Sequence, residues 1–149
     1  MMSTDERVTK DLIETLANGE EGFAKAADRL TDTDRADLCE RFRELSAQRS
    51  GMAEELRGLA AAYGDDIDKS GSVAGAVHRG WMSLKDAFSG SDADGVLDAA
   101  EQGEDHAVAE FQRALDDDIS AELRTIIQRQ FADVSAAHDW VRSQRNASV

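Results

Sequence analysis

The 149-residue chain has no proline and a single cysteine, and aromatic residues make up only 5% of it. Without proline, no position is barred from helix by a missing amide hydrogen and a ring clash. A lone thiol, Cys39, excludes an internal disulfide and a cysteine-rich zinc site, since both need several thiols. Beside Leu38 and Phe42 on a predicted helix, it reads as a packed residue. No apolar run approaches the roughly 20 residues that span a bilayer. The opening Met1-Met2-Ser3-Thr4-Asp5-Glu6-Arg7 has no apolar signal region. Together these absences predict a soluble, cytoplasmic protein with no membrane partner. Positive charge is also scarce: 17 Lys and Arg stand against 31 Asp and Glu, a net charge of -14. A surface of that sign repels phosphate backbones, so nucleic acid is not an expected partner. Only four of the basic residues are lysine, a bias shared by salt-tolerant hosts and by GC-rich genomes.

Abundant Ala, Leu, Arg, Glu and Asp favour helix over sheet. Ser3 and Glu6 have the spacing of a capping box. Val8, Leu12, Leu16, Phe23 and Leu30 then mark one face of a first helix of about 25 residues. Thr31 to Asp34 break it, and Leu38, Phe42, Leu45, Met52, Leu56, Leu59 and Tyr63 mark a second helix ending near Gly64. The short link makes the two antiparallel neighbours. A third helix carries Leu97, Ala100, Glu104, Val108, Phe111 and Leu115. A fourth, after the turn at Asp116 to Ser120, carries Leu123, Ile127, Phe131, Val134, His138 and Val141. Between the pairs, at about residues 65–90, Val73, Val77, Trp81, Leu84 and Phe88 predict a short helix inside a long crossover. Residues 1–149 thus read as one all-α domain, a four-helix bundle with a single long crossover, which is the ferritin-like connection.

The two helix pairs look alike. Gly19-Glu20-Glu21 and Gly103-Glu104-Asp105 are 84 residues apart, and Phe42-Arg43-Glu44-Leu45-Ser46-Ala47 and Phe131-Ala132-Asp133-Val134-Ser135-Ala136 are 89 apart. With Gly19-Glu-Glu-Gly-Phe23, the crossover segment Gly71-Ser-Val-Ala-Gly-Ala-Val-His-Arg-Gly-Trp-Met-Ser-Leu-Lys85 and Gly103-Glu-Asp105, the chain resembles a bacterial "domain of unknown function" family of four-helix-bundle proteins in the ferritin-like superfamily. The resemblance runs from about Val8 to Arg145. It implies the ferritin-like fold and carries no activity with it.

A di-iron bundle uses one Glu from each of two helices and a Glu-x-x-His from each of the other two. Glu20 and Glu104 match the lone glutamates, and Glu44 and Asp133 are the remaining carboxylate candidates for a metal. The histidines are missing, however. Glu40 is followed at the third position by Arg43, Glu44 by Ala47, and Gln130 by Asp133, while His138 lies five residues past Asp133. A guanidinium cannot ligate a cation but can neutralise a buried carboxylate. Arg43 is expected at the level of Glu20, Arg49 falls on the apolar stripe, and His138 is the counterpart of Arg49 in the second pair. The expectation is a paired polar core of Glu20, Arg43, Arg49, Glu104 and His138, with no cofactor.

Among other candidates, His78 reads as a surface or cap histidine, His106 as solvated, and Trp81 and Trp140 as seals on the core. No phosphate loop, nucleophile elbow or catalytic triad spacing is present. The sequence therefore predicts a non-enzymatic, stress-associated or interaction protein that forms a homodimer. The alternative is a metal-binding bundle, with iron or manganese, acting as an oxidase, peroxidase or storage protein.

Overall fold

The computed structural model describes residues 3–31, 33–62 and 93–147. Among these there are four helices and no strand: α1 (Thr4–Leu30), α2 (Ala36–Ala62), α3 (Ala93–Asp116) and α4 (Ala121–Ala147). The short crossover helix expected near residues 65–90, with His78 and Trp81, lies outside the described residues, as does Tyr63 at the expected end of the second helix.

The start of α1 and the two tight turns have local causes. Ser3 caps α1, its hydroxyl accepting from the Glu6 amide at 3.1 Å, which satisfies one of the first-turn donors with no partner inside the helix. Asp5 and Glu6 in that turn complement the positive end of the helix dipole. At the far end the Thr33 hydroxyl donates to the Leu30 carbonyl at 2.7 Å and accepts from the Arg35 amide at 3.2 Å. Ser120 caps α4 by accepting from Leu123 at 3.2 Å. Arg124 gathers the carbonyls of Leu115 and Asp117 at the close of α3.

Side-chain contacts give the direction of every helix. Ser46 on α2 donates to the Glu20 carbonyl, and Cys39 to that of Ala27, so α1 and α2 run antiparallel. Arg7 reaches Asp117, while mid-helix Gly19 and Glu104 both lie against the Arg49 guanidinium, so α1 and α3 are antiparallel too. His138 meets Asp105 and Arg145 meets Glu101, fixing α4 antiparallel to α3. Phe42 contacts Trp140, and Met52 accepts from Gln130, giving the same relation between α2 and α4. The order is up, down, down, up. Because α2 and α3 are parallel, residue 62 and residue 93 stand at opposite ends of helices roughly 40 Å long.

Both α1 and α3 bury small residues. Gly19, Gly22 and Ala26 are buried on α1, and Ala99, Ala100, Gly103 and Ala107 on α3. α2 and α4, by contrast, are bridged by long side chains, Arg129 to Glu55 and Arg41 over the Trp140 ring. The core divides into two apolar clusters. One gathers Leu12, Leu16, Leu56, Phe111 and Ile127. The other gathers Phe23, Leu30, Phe42, Leu97 and Val141. What lies between them is charged.

Candidate functional site

Arg49 of α2 crosses the bundle interior to Glu104 of α3, the helix parallel to its own. Its Nη1 donates to Glu104 Oε2 at 2.9 Å and its Nη2 to Oε1 at 2.5 Å. Both side chains are 0% exposed. The fork geometry matches guanidinium to carboxylate, which makes this the strongest form of ion pair. The guanidinium carbon also sits 5.2 Å from the centre of the Phe23 ring, where the ring's negative face adds attraction.

Gly19 makes the room. A Cβ at this position would meet Arg49 Nη1 at 3.0 Å and Cγ at 3.5 Å. The mid-helix glycine, which loses roughly 1 kcal/mol of helix propensity relative to alanine, is thus accounted for by the guanidinium packed on its backbone. Arg49 Nε and the neighbouring Asn18 Oδ1 are buried with no hydrogen-bond partner among the described residues. One level away, buried Gln130 donates from its amide to the Met52 carbonyl at 3.2 Å and to Glu55 at 2.9 Å. Arg129, and then Gln130, hold the Glu55 carboxyl below its ordinary range against the opposing effect of burial.

Three members of the expected polar core lie elsewhere. Glu20 is half-buried and off the inward stripe, because the inward position is Gly19 and one residue turns the side chain about 100°. Arg43 is exposed and 3.8 Å from Asp28. The level of Glu20 on α2 is Ser46, whose hydroxyl donates to the Glu20 carbonyl. That is nearly one turn beyond Arg43, since the turn centres later than residue 32. His138 joins a different group at the seam of α3 and α4. Its Nε2 lies 2.6 Å from Asp105 and its Nδ1 3.2 Å from Asp139, with the side chain 12% exposed. Burial opposes the charged imidazolium, but the two carboxylates outweigh it, and the His138 pKa is raised above 6.5. Arg142 and Arg145 continue this seam to Asp105, Glu101 and Asp98.

The carboxylates considered for a metal do not converge either. Glu44 is exposed and paired with Arg41 at 2.9 Å, Asp133 is exposed, and Glu20 is turned away from Glu104. Among the described residues no group of three or more His, Cys, Asp or Glu is arranged so that it could hold a metal ion. Both Glu104 oxygens accept from a guanidinium, which has no lone pair to offer a cation. These residues do not fit a dinuclear metal centre of the carboxylate–histidine type.

Sequence reasoning missed Gln130 as a buried polar group. It also missed the Asp105–His138 seam, whose signal was the paired acidic and basic residues facing each other along α3 and α4.

Among the described residues, the fold and its interior define a protein of four long helices with one fully buried ion pair at mid-length. The chain matches the model of the family described as Domain of unknown function (DUF2383) over residues 6–117, three quarters of its length, and belongs to that family. The matched stretch runs from the first turn of α1 to the end of α3 and includes both Arg49 and Glu104. A search among curated proteins finds no match. No described helix is long and apolar enough to cross a membrane.

Proposed function

We propose that this chain is a ferritin-like bundle without enzymatic activity, a self-associating interaction protein in which an arginine supplies the interior positive charge that a metal supplies elsewhere in bundles of this shape. The observation that carries the reading is the two-pronged contact of Arg49 on Glu104, with both groups fully buried. A glutamate engaged in this way is already neutralised, and opening it to a cation would leave Arg49 buried and unpaired. The ferritin-like assignment is supported by the up, down, down, up order, which demands one connection along the full length of the bundle.

The test is elemental analysis of the purified protein, combined with thermal melting in the presence of Fe(II) or Mn(II). The expected result is metal far below one equivalent and an unchanged melting temperature, since only a ligand that binds the native state stabilises it. Near-stoichiometric iron or manganese, lost in Glu104→Gln, would establish the metal-binding alternative instead.

A further inference from the structure

The core uses one face of α2 and leaves the opposite face to a second pattern. Ala36, Glu40, Arg43 and Ala47 follow one another at spacings of four, three and four. Ser50, Glu54, Arg57 and Ala61 repeat the same spacings 14 residues later. Alternating threes and fours keep all of them on one stripe, the spacing of a seam between two helices. The stripe points away from buried Leu38, Phe42, Leu45 and Leu56, and six of its eight residues are exposed, Ser50 and Arg57 being partly so. Gly51 and Gly58 flank it, and a Cβ at either would meet nothing within 4 Å.

We propose that this stripe is a homodimer interface in which α2 packs antiparallel on α2 of a second copy. The inference rests on the self-association reading above and names its surface. Set two copies head to tail about a point between Gln48 and Arg49. Glu40 then falls opposite Arg57 of the second copy, and Arg43 opposite its Glu54. The two-fold axis repeats both contacts, giving four pairs of opposite sign. Ala47 meets Ser50 of the second copy at the centre, where small side chains allow a close crossing. A parallel alignment would set Glu40 on Glu40 and Arg43 on Arg43, so the charges select the antiparallel arrangement.

Two further observations favour a second copy as the occupant. The chain carries -14 overall, which opposes self-association through most of its surface. This stripe holds two acids and two bases and is locally neutral. Its first half also opens into a groove of about 580 Å³ lined by Leu30, Ala36, Cys39, Glu40, Arg43 and Ala47. That is the place where the last turns of the second copy's α2 would run.

Sedimentation equilibrium over a range of concentrations tests the interface, on wild type, Arg43→Glu, Glu54→Arg and the double exchange. Arg43 and Glu54 are both well exposed, at 59% and 69%, so the fold is retained, and circular dichroism verifies it. Each single reversal turns two attractive contacts into two repulsive ones and is expected to raise the dimer dissociation constant about tenfold. The double exchange restores opposite signs across the seam and returns the constant to near its original value. A dimer indifferent to the single reversals, or one not restored by the exchange, overturns this interface and leaves self-association standing. A wild type that is monomeric at every concentration overturns both.

Discussion

Arg49 and Glu104 are the residues on which the interior depends most, because neither can be removed without stranding the other. Taking one partner from a buried ion pair costs about 3–5 kcal/mol. Glu104→Gln is therefore expected to lower the unfolding free energy by that order, measured by urea denaturation. Glu20→Gln, half-buried and off the inward stripe, should stay within about 0.5 kcal/mol of wild type. In the same series Gly19→Ala should fail to gain the roughly 1 kcal/mol of helix propensity that alanine offers, because its methyl would press on Arg49 Nη1 at 3.0 Å. The gain should reappear when Arg49 is replaced by methionine together with Glu104→Leu. Equal losses for Glu20→Gln and Glu104→Gln would refute this account of the core. The residue level also shows how far spacing carries. Periodicity placed Arg49 and Glu104 on inward stripes, and charge made them members of one expected polar core without pairing them with each other. It could not separate Glu20 from Gly19, because adjacent residues differ by about 100° in azimuth and only packing decides which of them faces inward.

At the scale of elements, α3 and α4 are joined by a charged seam whose one titratable member in the neutral range is His138. Asp105 and Glu101 face it or its neighbours from α3, and Asp139, Arg142 and Arg145 accompany it on α4. The folded-state pKa of His138 is raised above 6.5 because the two carboxylates outweigh burial. A histidine raised on folding contributes stability that is complete below the unfolded value and lost as pH climbs through the folded one. The melting temperature should therefore decline as pH rises from about 6 to about 8, and His138→Gln should flatten that decline. Thermal melts across this range on both proteins check the prediction, and parallel pH profiles would sink it. The seam was hard to read because it depends on register. A turn placed near residue 118 puts residue 131 opposite Glu104, whereas His138 contacts Asp105. Residues 117–120 are not helical; non-helical chain rises about twice as far per residue as helix, so α4 starts further along than a tight turn allows.

Viewed as a whole molecule, the protein is an acidic body held by a narrow internal polar layer between two apolar clusters. Compacting a charge of -14 carries a repulsive cost that ions relieve, and the Debye length contracts from about 30 Å at 0.01 M to about 8 Å at 0.15 M. Stability should rise by several degrees of melting temperature over that span, read by scanning fluorimetry. A fall would mean that the surface ion pairs outweigh the net repulsion. The half-repeat acquires its meaning at this scale. Its two copies build two antiparallel pairs, but the pairs are not equivalent inside. The inward position of the first is Gly19, shaped to admit an arginine, and that of the second includes Glu104, which the arginine binds.

Among the described residues, the number of long helices, their approximate limits and the apolar stripes were determined by the sequence alone. These follow from local propensity, capping and the 3.6-residue period, all of which act within a few residues along the chain. Only the tertiary structure decided that Arg49 and Glu104 meet across the bundle while Arg43, Glu20 and His138 find other neighbours. Such pairings depend on the rotation and axial offset of whole helices, and a shift of one residue in either exchanges a buried charge for a solvated one.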